Sequence, residues 1–144
     1  MTARVQLREF GYPDDYDEVR QLWEAIEKGI HLGPSDTPAE IEKKFRRDPD
    51  LFLIAESDGK IIGTVLGGFD GRRGLIYHLA VSAAFRGQGV GTRLMNEVER
   101  RLRLKGCLKS YLLITRDNAE VVEYYKRRGW DSMDGVYLYG KEFT

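Results

Sequence analysis

Residues 81–92 read VSAAFRGQGVGT and join an apolar, strand-like run to a helix-like one. Glycines stand at positions 87, 89 and 91, at the junction of the two runs. The first backbone N–H groups of a helix lack partners within it and carry a partial positive charge. Because glycine has no Cβ, such a backbone can approach a bulky anion closely, so the segment predicts a cradle for phosphate or pyrophosphate.

Two common phosphate-binding signatures do not fit this segment. The Walker pattern GxxxxGK[ST] does not occur, and the dinucleotide fingerprint GxGxxG fails because its third glycine would fall on Thr92 or Leu94. The strands before the loop are linked by hairpins, which does not suit a doubly wound parallel sheet. A glycine loop that serves only a tight strand-to-helix turn stays an open alternative, against which stands the basic Arg86 beside the glycines.

The residues before the loop predict two helices and an antiparallel meander of strands. An amphipathic helix that ends at about residue 28 is indicated by apolar residues at helical spacing: Val19, Leu22, Trp23 and Ile26. Thr37 followed by Glu40 is a capping-box pattern for a second helix, which must end before Pro49. The dipeptide Asp58-Gly59 is a hairpin signal between two β-prone runs. We predict strands at residues 4–10, 51–55, 61–66 and 75–81.

After the loop the periodicity changes to that of a long helix. The apolar residues of this helix recur every four positions: Val90, Leu94, Val98 and Leu102. Gly106 marks its end, and an apolar strand follows at residues 110–115. Asn118 is predicted to cap a last helix that ends at Gly129, and residues 136–139 to form a last strand. The order βααβββαβαβ predicts an α+β fold with a mixed, mostly antiparallel sheet flanked by helices.

Composition narrows the class of protein. The 144 residues, 42% of them hydrophobic, suit a single domain over residues 1–144 with a sizeable core. Proteins that bind nucleic acids normally carry a strong excess of basic residues. The formal net charge of zero therefore argues against a nucleic-acid partner. No apolar run reaches the about 18 residues of a membrane span, and residues 1–8 lack the apolar stretch of a signal peptide, so we expect no membrane partner and a cytoplasmic location. One cysteine, Cys107, and two histidines argue against a metal site.

Two segments resemble the GNAT superfamily of N-acetyltransferases. Residues 86–91, Arg-Gly-Gln-Gly-Val-Gly, match that family's (Arg/Gln)-x-x-Gly-x-(Gly/Ala) signature, and Leu79-Ala80-Val81 matches the strand before it. Asn118, Tyr125 and Gly129-Trp130 are similar to a second family segment at a consistent spacing. The resemblance covers nearly the whole chain. It looks closest to small bacterial members of undefined substrate and, more loosely, to ribosomal-protein alanine N-acetyltransferases.

The resemblance implies acetyl-CoA as co-substrate and a binding role for each matching residue. Arg86 and Gly87 would shape the turn that receives the pyrophosphate. The backbone amides that bind this group would be those of Gln88, Gly89, Val90, Gly91 and Thr92. Pantetheine would pair with the backbone of Leu79 and Val81 as a strand does, and Asn118 would also contact the cofactor.

Tyr125 corresponds to the family's general acid, a phenol that protonates the thiolate leaving the thioester, while Tyr124 is expected to pack in the core. The general base has no counterpart, because the two positions where many members carry a glutamate read Tyr77 and Leu113. His78 is expected to be a structural residue. An α-amine with a pKa of about 8 loses its proton more readily than a lysine at about 10.4, which favours an α-amine or another weakly basic acceptor.

Acceptor-side residues are expected on the first two helices, their loop and the neighbouring strand. Tyr77, predicted to share a strand face with Leu79 and Val81, is assigned to the substrate site together with His31 of the loop. The function implied is acetyl transfer from acetyl-CoA to a primary amine, of a small molecule or a protein N-terminus, without an acyl-enzyme. A catalytically silent CoA-binding or sensing module is the alternative. A homodimer is an expectation from the family alone.

Overall fold

The computed structural model describes residues 4–143. Residues 1–3, which begin the segment predicted to lack a signal peptide, lie outside the described residues. In chain order the elements are β1 (Gln6–Glu9), α1 (Tyr16–Ala25), α2 (Pro38–Arg47), β2 (Phe52–Ser57), β3 (Lys60–Phe69), β4 (Arg73–Val81), α3 (Val90–Leu104), β5 (Lys109–Leu112) and α4 (Val122–Lys126). Short 3₁₀ turns lie at Pro34–Asp36, Pro49–Leu51, Ala83–Phe85 and Arg116–Val121.

One sheet carries these elements, with its strands in sequence order from β1 to β5. The first four strands pair antiparallel as a meander, and β5 joins β4 in parallel after the α3 crossover. Asp58 and Gly59, both at positive φ, form the predicted hairpin turn between β2 and β3. This mixed, mostly antiparallel sheet with its helices confirms the predicted α+β fold class.

The two faces of the sheet enclose separate apolar clusters, because alternate strand residues point to opposite sides. In β2, Leu53 joins one cluster and Phe52 the other. The first cluster, here called the α3 face, contains the predicted apolar stripe of α3: Val90, Leu94, Val98 and Leu102, all buried. The second, here called the α1–α2 face, lies under the first two helices and includes Trp23 and Ile41.

Local signals set most helix ends as predicted. The Thr37 hydroxyl accepts the Glu40 N–H at 3.4 Å at the start of α2, and Gly106 has a positive φ just after α3. The first helix is shorter than predicted. It ends at Ala25 rather than near residue 28, because Ile26 already has extended backbone.

The prediction of a last strand at residues 136–139 is wrong. These residues lie in no strand and are 64–89% exposed. An apolar run becomes a stable strand only where neighbouring strands supply hydrogen bonds and a packed face. Within residues 4–143, β5 pairs with β4 alone, so nothing continues the sheet beyond it. The observed order is βααβββαβα.

Candidate active site

The leading candidate site is a gap in the sheet between β4 and β5. The two strands pair from Arg73 opposite Lys109 to Ile76 opposite Leu112, where the pairing stops. β4 continues to Val81, whereas β5 has already ended. Among the described residues no strand therefore pairs with this edge of β4 beyond Ile76. A linear ligand with amide groups could extend the sheet there.

Backbone groups of Leu79 and Val81 face this gap. The Ser82 N–H donates to a β3 carbonyl at 2.8 Å, and the His78 carbonyl accepts a β3 hydroxyl at 3.0 Å, so both groups point toward β3. Across a trans peptide the C=O of one residue and the N–H of the next point in opposite directions. The Leu79 N–H and the Val81 carbonyl therefore point into the gap, where Arg86 Nε meets that carbonyl at 3.2 Å.

The glycine-rich turn follows β4 and opens α3. Gly87 and Gly89 have φ of +77° and +79°, a left-handed conformation that favours glycine. A Cβ at either position would meet no atom of residues 4–143 within 4 Å, so among these residues the turn surface is open. Gly89 is the N-cap of α3, and no side chain in the described part of the chain caps the helix. The amides of Val90, Gly91 and Thr92 are thereby left available to an external acceptor.

Side chains around the turn fix it and add positive charge. The Gln88 amide reaches a carbonyl of the preceding 3₁₀ turn at 3.5 Å. The Thr92 hydroxyl shares a 2.5 Å hydrogen bond with the Tyr124 phenol, and Arg128 donates to the same hydroxyl at 3.2 Å. The start of α3 is thus tied to α4. Arg86 and Arg128 place two guanidinium groups around the free amides, an arrangement that suits an anion.

Tyr125 lies on α4 and is 7% exposed, within the apolar cluster of the α3 face. Its ring meets those of Tyr124 and Trp130 edge-on. Burial raises the pKa of its phenol to about 12, so the group stays protonated at neutral pH. Tyr124, predicted to be the core aromatic of the pair, is only half-buried, because its hydroxyl reaches out to Thr92.

The prediction that Asn118 caps a helix is wrong. Asn118 lies inside the 3₁₀ turn Arg116–Val121 with φ −115° and ψ 32°, and α4 starts later without a side-chain cap. Its amide packs against Gly29, where an added Cβ would stand 2.6 Å from Nδ2. Next to it, His31 Nε2 meets the Asp117 carboxylate at 3.1 Å. These residues join the α1–α2 loop to the segment between β5 and α4, a long-range contact that no capping pattern reveals.

The sequence relationships of the chain agree with this geometry. A family model described as the acetyltransferase (GNAT) family matches residues 16–130. The chain belongs to the GNAT family. It is 38% identical over 138 residues to an acetyltransferase of Sodalis glossinidius, and the match covers 95% of this chain and 94% of that protein. The family resemblance carried by the two short sequence segments is confirmed, and the relatives support an acyltransferase enzyme.

Solved structures share the fold. Ard1 from Thermoplasma volcanium has a TM-score of 0.74 at 27% identity, over 87% of this chain and 81% of its own. An aminoglycoside N-acetyltransferase, AAC(6')-Iy, solved in complex with CoA, has a TM-score of 0.73 at 20% identity, over 99% and 98%. At that identity the second likeness concerns the fold alone. The fold is therefore that of GNAT acetyltransferases.

On the α1–α2 face, the prediction that Tyr77 shares a strand face with Leu79 is wrong. Tyr77 lies opposite Leu66 and Ala80 opposite Thr64, so β4 carries an extra residue between them, a bulge. The bulge reverses the alternation of side chains. Tyr77 accordingly packs in the cluster of the α1–α2 face and Leu79 in that of the α3 face. Burial raises the pKa of the Tyr77 phenol to about 12.

The bulge also turns His78 toward α1. His78 has φ +50°, and its Nε2 lies 2.8 Å from Oδ1 of Asp36 in the 3₁₀ turn before α2. The Trp23 ring meets the imidazole edge-on at 4.8 Å between centroids. No local pattern could reveal this pair, because its members are 42 positions apart and the sequence marks Asp36 only as a loop residue.

Two kinds of feature are missing from residues 4–143. No group of three or more His, Cys, Asp or Glu side chains is placed to hold a metal ion there. None of the described helices combines the length and apolar character that crossing a membrane requires.

Proposed function

We propose that this GNAT protein transfers the acetyl group of acetyl-CoA directly to a primary amine, of a small molecule or of a peptide N-terminus. One observation supports it most: the unpaired edge of β4 runs into the uncapped start of α3. Acetyl-CoA needs both features, a strand edge for the amides of its pantetheine arm and free N–H groups for its diphosphate. The transfer is direct, so no acyl-enzyme forms.

The turn and the gap would hold different parts of acetyl-CoA. The amides of residues 88–92 would bind the diphosphate, and the backbone of Leu79 and Val81 would pair with pantetheine. Arg86 satisfies the Val81 carbonyl at 3.2 Å in the free protein, so a pantetheine amide would displace it. The released guanidinium can then pair with the diphosphate a few residues away. Asn118 is proposed to contact the cofactor from the segment beyond β5.

The reaction needs one bond formed and one broken at the acetyl carbon. The amine lone pair attacks the thioester carbonyl, whose π electrons move to oxygen and form a tetrahedral intermediate. The Leu79 N–H, which points into the gap, would stabilise the negative oxygen. Collapse re-forms the carbonyl, breaks the C–S bond and releases the CoA thiolate. The attacking nitrogen gives up a proton, which leaves an amide.

Tyr125 is proposed to donate a hydrogen bond to the sulfur that leaves the thioester. Its raised pKa of about 12 keeps the phenol available as a donor. A thiol has a pKa of about 8.5, so full proton transfer from such a phenol would be uphill by roughly 5 kcal/mol. Tyr125 would therefore stabilise the thiolate chiefly by donating a hydrogen bond as the C–S bond breaks.

The substitution Tyr125→Phe tests this function. Acetyl transfer to a panel of amines should fall by about 100-fold, while calorimetry finds the acetyl-CoA dissociation constant unchanged. Tyr111→Phe is the matched control. Its phenol bonds Arg73 at 2.6 Å where β4 and β5 are still paired, away from the proposed reaction, and both readouts should stay as in the wild type.

Two results would contradict the proposal. A wild-type protein that binds acetyl-CoA but acetylates no amine would indicate the silent CoA-sensing alternative. A protein that does not bind acetyl-CoA at all would remove both functions. Thermal unfolding decides the second case, because a ligand at 100 times its dissociation constant stabilises the fold by about 2.7 kcal/mol.

A further inference from the structure

We propose that His78, held by Asp36, is the general base that takes the proton from the acceptor amine, a role that rests on the acetyl transfer proposed above. A protonated amine cannot attack a thioester, so a proton acceptor is needed beside the reacting carbonyl. Positions 77 and 113, where the family resemblance implies a glutamate base, carry Tyr77 and Leu113 instead. Imidazole is the side chain that exchanges protons most readily near neutral pH.

The bulge in β4 contains both His78 and Leu79, whose N–H is proposed to face the acetyl carbonyl. In the pairing of β4 with β3, two residues of β4, His78 and Leu79, lie opposite one residue of β3, Val65, and none of the three has a paired partner there. His78 has φ +50°, which is uncommon for a residue with a Cβ and turns its side chain to the α1–α2 face. The very next N–H, that of Leu79, faces the gap. The group that would polarise the acetyl carbonyl and the proposed base are thus neighbours in the chain.

Asp36 is built into a fixed position. It is 7% exposed, and its Oδ1 meets His78 Nε2 at 2.8 Å while its Oδ2 accepts the Gly33 N–H at 3.0 Å. Its carbonyl accepts the Tyr16 hydroxyl at 2.8 Å and an Arg20 N–H at 3.1 Å. Burying a carboxylate costs free energy unless it is paired and hydrogen-bonded. These bonds meet that cost and hold the carboxylate against the imidazole.

The Asp36 contact determines which imidazole nitrogen acts. A carboxylate only accepts hydrogen bonds, so Nε2 carries the hydrogen and Nδ1 of the neutral ring keeps its lone pair. Across residues 4–143 Nδ1 meets no hydrogen-bond partner, and the His78 side chain is 17% exposed. In the proposed step an N–H bond of the ammonium breaks, its electron pair stays on nitrogen for the attack, and the proton passes to Nδ1. The Asp36 charge stabilises the resulting imidazolium.

Other charges around His78 are balanced. The titratable and charged groups on the elements packed around it are Asp36 from the 3₁₀ turn, Tyr16 and Arg20 from α1, Lys44 and Asp48 from α2, and Tyr77 from its own strand. Lys44 pairs with Asp48 at 2.9 Å, and the raised pKa of Tyr77 keeps its phenol neutral. Asp36 therefore supplies the charge that His78 meets.

The decisive experiment compares the pH dependence of kcat/KM for wild type and His78→Gln, with a peptide that carries a free α-amine. At about pH 7 the variant should be about 100-fold slower. The ratio should shrink as the pH rises past about 8, because the α-amine then loses its proton to solvent and needs the base less. A ratio that stays constant with pH would mean that His78 only supports the structure, and would overturn the proposal.

Two further variants test whether the charge of Asp36 supports the proposed base. Asp36→Asn keeps the shape of the anchor but removes its charge, so it should reproduce the pH-dependent loss in weaker form, with the acetyl-CoA dissociation constant unchanged. Asp50→Asn is the matched control, because that carboxylate pairs with Lys105 at 2.8 Å and not with His78. Its kcat/KM should follow the wild type throughout.

Nitrogen NMR of the free protein gives a readout that needs no turnover. The chain has two histidines, and His31→Gln assigns the signals. We expect His78 in the tautomer protonated at Nε2, and the opposite tautomer would overturn the proposal even if no acceptor were found. If wild type is active and Tyr125→Phe is not, a constant wild-type to His78→Gln ratio removes the base alone. Failure of the wild type to acetylate any amine removes the proposed function instead.

Discussion

The α3 face and the α1–α2 face contribute to the proposed reaction from very different parts of the sequence. Apart from Asn118, the groups proposed to bind acetyl-CoA come from one continuous stretch on the α3 side, residues 79–92, and most of them are backbone amides. On the α1–α2 side, the proposed base and its two neighbours come from three separate elements: His78 from the bulge, Trp23 from α1 and Asp36 from the 3₁₀ turn.

The difference follows from what each site is made of. A backbone cradle depends on φ angles and on a helix start, which are local properties that glycine spacing records directly. A side-chain pair such as His78 and Asp36 depends on the register of two strands and on the path of a loop. The first kind of site can be recognised in a single sequence, whereas the second requires coordinates.

Thr64→Val should have the largest effect, and it acts on the α1–α2 face. The buried Thr64 hydroxyl accepts the Trp23 indole N–H at 2.9 Å and donates to the His78 carbonyl at 3.0 Å. Valine keeps the shape but leaves both buried partners unsatisfied, at about 1–3 kcal/mol each. Urea unfolding should show a free energy of unfolding lower by about 2–6 kcal/mol.

The same variant tests whether the two faces work separately. Thr64→Val loosens the bulge, so turnover with the acceptor should fall while calorimetry finds the acetyl-CoA dissociation constant unchanged. Thr37→Val is the control, because it removes an exposed helix cap and should cost only about 1 kcal/mol, with turnover intact. If the affinity for acetyl-CoA fell as much as the turnover, the two faces of the sheet would not act separately.

Much of the fold follows from the sequence because its signals are local. The stripe of α3, the Asp58-Gly59 turn and the Thr37 cap each depend on a few neighbouring residues, and the structure has all three. The glycine turn belongs to the same class, since two of its three glycines adopt positive φ. Residues 86–92 and the segment 79–81 could therefore be placed together in advance.

The features that the sequence does not reveal depend on distant partners. The bulge in β4 reverses the face on which Tyr77 lies, because pairing with β3 inserts an extra residue that no alternation of side chains records. Asn118 has the residue type of a cap but packs against Gly29 instead. Residues 136–139 are apolar enough for a strand, yet no strand among residues 4–143 pairs with them.

Gly89→Ala should have an intermediate effect, and it acts on the α3 face. At φ +79° an L side chain costs about 1–2 kcal/mol of stability, while the added methyl group has no atom of the described residues within 4 Å. The methyl group projects into the open surface proposed for the diphosphate. Calorimetry should show an acetyl-CoA dissociation constant raised about tenfold, or about 1.4 kcal/mol.

Gly135→Ala provides the matched control for this turn, because that glycine has open space around it and no positive φ. It should change neither stability nor affinity. If Gly89→Ala lowered stability but left acetyl-CoA binding intact, the glycines would serve only the path of the chain. The claim that residues 86–92 form a cofactor site built from local sequence would then be wrong.

The smallest effect is expected on the outer surface of α3, where Glu97 bonds Arg100 at 2.6 Å and Arg101 at 3.1 Å. These guanidinium groups, Arg100 first, lower the pKa of Glu97 to about 2 from an ordinary 4.5. As the pH falls, the unfolded chain therefore takes up the proton before the folded one. The ion pair stabilises the fold above about pH 4.5, and this stabilisation is lost progressively toward about pH 2.

Glu97→Gln measures that contribution and separates the stability of α3 from its proposed cofactor role. The Glu97 side chain is 25% exposed and its pairs are screened by solvent, so the variant should lose less than about 1 kcal/mol at neutral pH. Urea unfolding at about pH 7, 5, 4 and 3 should show the difference from wild type shrinking with acidity. If the difference in free energy of unfolding stayed constant with pH, it would come from packing and not from the charge of Glu97. Acetyl-CoA affinity should not change, because Glu97 stands two turns along α3 from the amides at residues 90–92.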